Sequence, residues 1–377
     1  MVYDSAWNQD DSFCSPALTN CVTMAISRVV QANEVTGQSC TKGNTKPRIA
    51  PPNEKDTLPL IVSTTNKVLI KHPSLITGQH QSITTNRNNI EMAEGPLPCR
   101  ELDLIGKVAV ISGASRGIGR AIAFNLASRG CSILGTCVSD KGVEALSTGL
   151  NDEATERVYK ATSRERPSSQ QIKGIIADVF SPDCAKTIAD AIQESFKGQV
   201  DILVNSAGDP MPGVIGQMTT EEIQRSLLGN VQAPVQIVEE LVRRKFFQPN
   251  SRIIYISSVR SRLPWADQLM YAAGKSAGES LCRTWSQAFG GKDDRYAFMA
   301  GTTANAVTAG LTETDAVMDC GPEMVKTFQD EFFPLQSIPK FGQPEDVADV
   351  VGMLCGNDGR WITGSVISAS GGCIKMQ

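Results

Sequence analysis

The stretch 107–120, Lys-Val-Ala-Val-Ile-Ser-Gly-Ala-Ser-Arg-Gly-Ile-Gly-Arg, constrains the fold more than any other part of the chain. Val108 to Ile111 is a continuous apolar run of strand length. Glycines then break it, and Ile122, Phe124 and Leu126 among small residues mark a helix. A strand that opens through glycines onto a helix N-terminus suits a phosphate. Backbone N–H groups point outward, the helix dipole favours negative charge, and missing side chains let a ligand reach the main chain. The spacing Gly113-x-x-x-Gly117-x-Gly119 is a variant of the dinucleotide fingerprint. A glycine motif alone is weak evidence, and the rest of the chain has to decide.

Downstream, strand and helix alternate. Strands are expected at 132–138, 173–177, 200–204, 252–256, 298–307 and 361–368. A helix begins at 143, and others span 182–196, 220–247 and 269–289. The polar, charged segment 151–171, with Arg166-Pro167-Ser168-Ser169, reads as a loop insertion. This alternation predicts an α/β fold, a single doubly wound (Rossmann-like) parallel sheet with helices on both faces. Ligands in such folds lie beyond the carboxyl ends of the strands. The loops after Ile111, Ala177, Val204 and Ile256 should therefore share one rim.

Residues 1–91 read differently, being rich in Ser, Thr, Asn and Gln with few apolar residues to offset the entropy of ordering. They are expected to be a largely disordered N-terminal extension, and 92–377 the folded domain. Met92-Ala-Glu-Gly-Pro-Leu-Pro has the look of a chain start, so the extension is either an overextended gene model or a regulatory or targeting tail. A net charge of -4 leaves no basic footprint for nucleic acid. No apolar run is long enough for a membrane span. Asp4, Asp10 and Asp11, without a basic leader region, argue against secretory and mitochondrial targeting. The 11 cysteines form no C-x-x-C pair, which points to reduced thiols in the cytoplasm and to no metal site. The two histidines, His72 and His80, both precede the glycine turn, so chemistry after Arg100 must run without imidazole.

The rim loops carry a coherent set of side chains. Asp178 ends the third strand, where a carboxylate can accept from an adenine amine, and Asn205-Ser206-Ala207-Gly208 leaves room for a flat ring and ribose. Asn230 sits inside a helix, an unusual place for a residue that competes for backbone hydrogen bonds. Ser258 ends the fifth strand, and Tyr271 and Lys275 follow at i,i+4 on one helix face. A phenol with pKa near 10 is a poor catalyst at neutral pH, but an adjacent ammonium and a bound nicotinamide cation stabilise phenolate. A serine hydroxyl can hydrogen-bond a carbonyl as charge develops. Together the three can move a proton where a cofactor moves a hydride.

The glycine turn, Asn205-Ser206-Ala207-Gly208, Asn230, Ser258 and Tyr271-x-x-x-Lys275 together resemble the short-chain dehydrogenase/reductase family over about 102–372. The 3-oxoacyl-carrier-protein reductase type is the nearest flavour, given Gly135-Thr136, Gly342-Gln-Pro-Glu-Asp-Val-Ala, Ile362-Thr-Gly and Gly371-Gly372. The resemblance implies Tyr271 as proton donor and acceptor. It implies Lys275 lowering the Tyr271 pKa and holding the ribose, Ser258 orienting the carbonyl, and Asn230 maintaining a water-linked relay. Cofactor contacts are implied at Gly113, Ser115, Arg116, Gly117, Ile118, Gly119, Asp178, Val179, Asn205, Ala207, Gly208, Tyr271, Lys275, Thr312 and Thr314. Departures are Asn-Ser-Ala-Gly for Asn-Asn-Ala-Gly, and Ala309-Gly310 for Pro-Gly after the sixth strand.

The second strand ends Thr136-Cys137-Val138-Ser139, with Asp140 too late to be the acid that an NAD enzyme uses on the ribose. Arg116 can instead meet a 2′-phosphate, which favours NADP(H) over NAD(H). Gly274-Lys275-Ser276-Ala277-Gly278 imitates a hydrolase nucleophile elbow, but it lies mid-helix with no histidine after it. The resemblance implies that the segment 312–338, with Met318, Met324, Phe328, Phe332, Phe333 and Leu335, covers the substrate side. It serves either a bulky apolar carbonyl or plain helix packing. The expected activity is reduction of an apolar ketone, such as a secondary-metabolite ketone, or oxidation of the alcohol. The alternatives are a 3-oxoacyl reductase of fatty-acid intermediates and a non-catalytic nucleotide sensor. By family analogy the partner is a second copy, in a homodimer or homotetramer.

Overall fold

In the computed structural model, which describes residues 101–375, the apolar run after Lys107 forms β1 (Val108–Ser112), buried along its whole length. Burial on both faces marks a central parallel strand covered by helices above and below. The glycine turn delivers the chain into α1 (Gly117–Ala127), and β2 (Ser132–Cys137) returns parallel to β1. A helical run, α2 (140–160), leads to β3 (Ile172–Ile176), then α3 (Cys184–Phe196) and β4 (Val200–Asn205). The second half comprises α4 (Thr220–Leu227), a π turn (Leu228–Gln232), α5 (Ala233–Arg243), β5 (Phe247–Ser258), α6 (Leu269–Phe289) and β6 (Thr303–Ala309). It ends with α7 (Asp315–Met318), α8 (Pro322–Phe332), α9 (Pro344–Cys355) and β7 (Val366–Ala369).

All strands are parallel, in the order β3-β2-β1-β4-β5-β6-β7. One sheet face packs on α3, α5 and α6 through Val110, Leu203, Ile253 and Tyr255 against Ile188, Ile237 and Cys282. The other packs on α1, α2 and α9 through Ile111, Ile133, Val204 and Ile254 against Ile122, Leu146 and Val351. A smaller core joins α8 to the C-terminal turn through Val259, Leu311, Phe332, Cys373 and Ile374. The chain reverses its direction of travel across the sheet between β1 and β4, which opens a crevice at their carboxyl ends. Among the described residues no helix is long and apolar enough to cross a membrane.

Several boundaries differ from expectation. The supposed loop 151–171 is helical as far as Lys160, because Leu146, Leu150, Ala154 and Tyr159 are buried in one stripe. Its two π turns, Ala145–Leu150 and Thr155–Lys160, keep that stripe in register. The helix expected over 220–247 stops at Arg243; Lys245 takes a positive φ of 56° and turns the chain into β5, which already includes Phe247. Phe298 belongs to a 3₁₀ turn (Asp294–Met299), and β6 starts only at Thr303, after Gly301 at φ 78°. Trp361 is exposed, and β7 begins at Val366 beyond Gly364 at φ 69°. Pro182 lies just ahead of α3, which starts at Cys184. The readings of residues 1–91, and the boundary at 92, lie outside the described residues.

Candidate active site

The nucleotide half is built from close backbone approaches. Gly113 has φ 68°, and a Cβ there would stand 3.1 Å from that of Ala207, so the β1 and β4 loops touch. A side chain on Gly119 would be driven into the Gly113 carbonyl oxygen. Gly117, at φ 55°, faces Thr314. The turn is braced by Thr136, whose hydroxyl accepts from the Gly113 N–H at 3.2 Å, and whose carbonyl accepts from that of Ala114 at 2.9 Å. Ser112 ties β1 to β4 by accepting from the N–H groups of Ser206 and Ala207, each at 3.0 Å. Sequence reasoning passed over both braces; an inward hydroxyl at a strand end was the available signal.

This geometry fits a dinucleotide phosphate. The N-cap of α1 is Arg116, exposed and with no side-chain cap, so the first-turn N–H groups are free of side-chain acceptors, and no acid occupies that turn. Asn205 is buried, with both amide atoms unpartnered by protein. Such atoms are costly unless a ligand or water completes them. Asp140 opens α2 behind its Ser139 cap, three residues past Cys137 at the end of β2. Asp178 accepts from the Phe180 N–H at 3.0 Å, while Val179 is part of the core. The Thr312 hydroxyl donates to the Gly310 carbonyl at 3.0 Å, and Thr314 lies beside the glycine turn. Ser115 and Ile118 lie in that turn, and Ile118 also packs on the core.

The chemical half centres on α6. Gly274 lets α6 approach the π turn, since a Cβ there would lie 2.7 Å from that of Asn230. Asn230 is fully buried; its Oδ1 accepts from the Asp209 N–H at 3.1 Å, and its Nδ2 donates to the Asp209 carbonyl at 3.0 Å. A side chain on Gly208 would meet both Asn230 Oδ1 and Lys275 Nζ. The Lys275 ammonium donates to the Ile256 carbonyl at 2.8 Å and lies 5.5 Å from the centre of the Tyr271 ring. Ser258 Oγ accepts from the Arg260 N–H at 3.2 Å, which fixes the hydroxyl at the end of β5. The predicted set Asn230, Ser258, Tyr271 and Lys275 thus converges at one end of the sheet.

Burial pushes the Tyr271 phenol up from its usual range, against the opposing pull of the Ser258 hydroxyl and the Arg260 guanidinium. Burial also depresses the Lys275 ammonium to about 8, with no carboxylate partner among the described residues to offset it. A neutral phenol beside a serine hydroxyl is able to donate a proton to an oxygen that gains charge. The downward pull on Tyr271 comes from Ser258 and Arg260, and Arg260 was absent from the sequence-derived set. In the covering segment, Phe332 is buried and Phe328 and Phe333 pack on the small core, so these aromatics hold α8 down. Met318, Met324 and Leu335 remain exposed. Among the described residues no group of His, Cys, Asp and Glu is placed to hold a metal ion.

Comparison with known proteins agrees with the fold. A family model described as enoyl-(acyl carrier protein) reductase matches residues 113–373. The 3-oxoacyl-(acyl-carrier-protein) reductase of Vibrio cholerae serotype O1 is 30% identical, over 72% of this chain and 98% of its own. Among solved structures, a blue fluorescent protein from a metagenomic library, in complex with NADPH, superposes with a TM-score of 0.61 at 31% identity. That match covers 72% of this chain and 100% of the other. An angucycline C-6 ketoreductase with bound NADP gives a TM-score of 0.59 at 29% identity, over 73% of this chain and 98% of its own. The chain belongs to the short-chain dehydrogenase/reductase family and is an oxidoreductase.

Proposed function

We propose that the protein is an NADP(H)-dependent carbonyl reductase, or the reverse alcohol dehydrogenase, acting on a fairly apolar small molecule with Tyr271 as the proton donor and acceptor. The carrying observation is the Tyr271 phenol set beside the Ser258 hydroxyl and 5.5 Å, from ring centre to ammonium, from a buried Lys275 that has no carboxylate partner among the described residues. NADP(H), when bound, supplies or accepts the hydride. The α1 N-terminus and Gly113, Gly117 and Gly119 would grip its pyrophosphate, with Ser115, Ile118, Asp178, Val179, Asn205, Ala207, Gly208, Thr312 and Thr314 along its length. Arg116, exposed at that N-terminus, would pair with a 2′-phosphate, and the nicotinamide cofactors of the two structural relatives support the same choice.

In reduction, Ser258 holds the carbonyl oxygen by a hydrogen bond as charge builds on it, and Tyr271 delivers the proton to that oxygen. Lys275 stabilises the phenolate that remains and offers its ammonium to a ribose. Asn230 keeps the π turn against Asp209 and so keeps α6 in place. Exposed Met211, Val214 and Ile215 after β4, Leu269 at the start of α6, and Met318 and Met324 beyond β6 give the surrounding segments an apolar character. This favours a bulky apolar ketone, and the ketoreductase relative acts as supporting evidence. The resemblance to the Vibrio protein keeps 3-oxoacyl thioesters as the second reading. A ketone and alcohol panel with NADPH and NADH, followed at the reduced-nicotinamide absorbance, tests the activity. Tyr271→Phe should abolish turnover and leave NADPH binding intact; retained turnover overturns the tyrosine mechanism.

A further inference from the structure

We propose that Arg260 is a positioning residue through which the seating of α8 over the site sets the Ser258–Tyr271 pair. It rests on the reading of Tyr271 as the acid.

The 3₁₀ turn Val259–Ser261, directly after Ser258, is held from two sides. On the α6 side, Glu279 is fully buried, accepting from the Ser257 hydroxyl at 2.7 Å and from the Arg262 guanidinium at 2.7 Å. This clamp joins the turn to the helix that carries Tyr271. On the α8 side, Arg260 donates from both terminal nitrogens to Glu331, at 2.5 Å and 2.8 Å. Its guanidinium also lies over the rings of Trp265 and Phe332, 4.6 Å and 4.5 Å from their centres. Planar bidentate pairing beside two aromatic rings is a geometry that lysine cannot reproduce.

The two anchors differ in permanence. Glu279 lies within the main body, whereas α8 has a narrow footing, with Phe332 its one buried side chain. The Arg260 side chain is 4% exposed and that of Glu331 32%, so water reaches the acid and not the base. Arg260 in turn reaches the chemistry by two routes. Its N–H holds Ser258 Oγ at 3.2 Å, and its charge favours ionisation of Tyr271. The groups around the phenol are Lys275 on its own helix, Tyr255 and Arg260 from the β5 side, and Glu331 behind Arg260 on α8; Cys373 faces Arg260 from the C-terminal turn. With α8 seated, Glu331 offsets the Arg260 charge, and the phenol keeps its proton. With α8 lifted, that offset goes and the turn loses one anchor.

The test uses the full chain, with whichever ketone of the panel the parent reduces fastest, and measures kcat/KM for reduction against pH and NADPH affinity by fluorescence. Glu331→Gln should move the alkaline limb down by roughly half a pH unit, because an uncompensated guanidinium eases loss of the phenol proton. Arg260→Gln should move it up. Arg260→Lys keeps the charge and loses the fork, so it should raise KM several-fold with the limb near the parent's. NADPH affinity should hold in all three. Limbs that coincide with the parent's in Glu331→Gln and Arg260→Gln overturn the inference. Should Arg260→Gln fail to fold, the part-exposed Glu331→Gln decides alone. Tyr271→Phe in the same series separates the cases: turnover there overturns the acid assignment, whatever the limbs do.

Discussion

The Tyr255 hydroxyl donates to the backbone carbonyl of Asn230 at 2.9 Å, linking the middle of the sheet to the π turn. The widened turn leaves that carbonyl pointing at β5, and the Tyr255 ring fills the space beside α6 left by Gly278. The same ring lies 5.1 Å from the Lys275 ammonium. Tyr255 therefore takes up the backbone acceptor of the residue at which a water-linked relay is expected. Tyr255→Phe leaves a buried carbonyl short of a donor, and urea unfolding should report a loss of about 1–2 kcal/mol. If the Asn230 carbonyl then recruits water, turnover in Tyr255→Phe stays within a few-fold of the parent.

Lys275 carries a stability cost with a definite pH dependence. Its folded pKa, about 8, lies below the ordinary lysine value of 10.5, so between those values the unfolded chain binds more protons. Folding stability should accordingly rise with pH from about 8 to 10.5, with the penalty fully present below 8. The gap is worth about 3 kcal/mol at neutral pH. Lys275→Met should raise the melting temperature at pH 7, less whatever the lost hydrogen bond to Ile256 contributes, while abolishing reduction. A drop in melting temperature at pH 7 would count against a penalised ammonium.

Arg116 stands at the N-cap of α1 with its side chain exposed, so its removal should cost the fold almost nothing. Arg116→Ala should weaken NADPH by roughly tenfold or more, the loss of a charge-assisted contact, and NADH far less. Fluorescence titration with both nucleotides measures the ratio. Equal losses would assign the 2′-phosphate to other residues.

Gly119→Ala brings a methyl group onto the Gly113 carbonyl oxygen, which belongs to the rigid turn and cannot move aside. The strain should cost about 1–3 kcal/mol. NADPH binding should fall more steeply than stability, because the displaced atoms are those that would face the pyrophosphate. Calorimetry and nucleotide titration on one sample separate the two effects.

How much of this was legible depended on whether the signal was local. The strand–glycine–helix unit and the Tyr271–Lys275 pair declare themselves by spacing within a dozen residues, and the sheet follows from the alternation of elements. The helix across 151–160 escaped notice because Leu146, Leu150, Ala154 and Tyr159 step by four, four and five, wider than an ordinary helical stripe. Only π turns reconcile that spacing with one buried face, and the intervening Glu and Arg residues look like a solvated loop. The end of α5 was hidden because Phe246 and Phe247 continue an apolar pattern that the left-handed Lys245 interrupts. Arg260 was invisible for another reason. Its partner Glu331 is 71 residues away, and an arginine after a strand looks like any surface residue until α8 is laid over it.

From β4 onward, the spatial order of the strands is also their order along the chain, β4-β5-β6-β7. β1, β2, β3 and β4 lie within residues 108–205 and form one contiguous patch of sheet. Synthesis from the N-terminus thus offers each later strand an edge already in place, and no completed pair has to reopen to admit it. The glycine turn after β1 is encoded before the helix that bears Tyr271 has left the ribosome. The footing of α8 waits for Cys373 and Ile374, which emerge about forty residues after that helix. A nascent chain of this design completes its glycine turn well before the turn after Ser258 gains its second anchor.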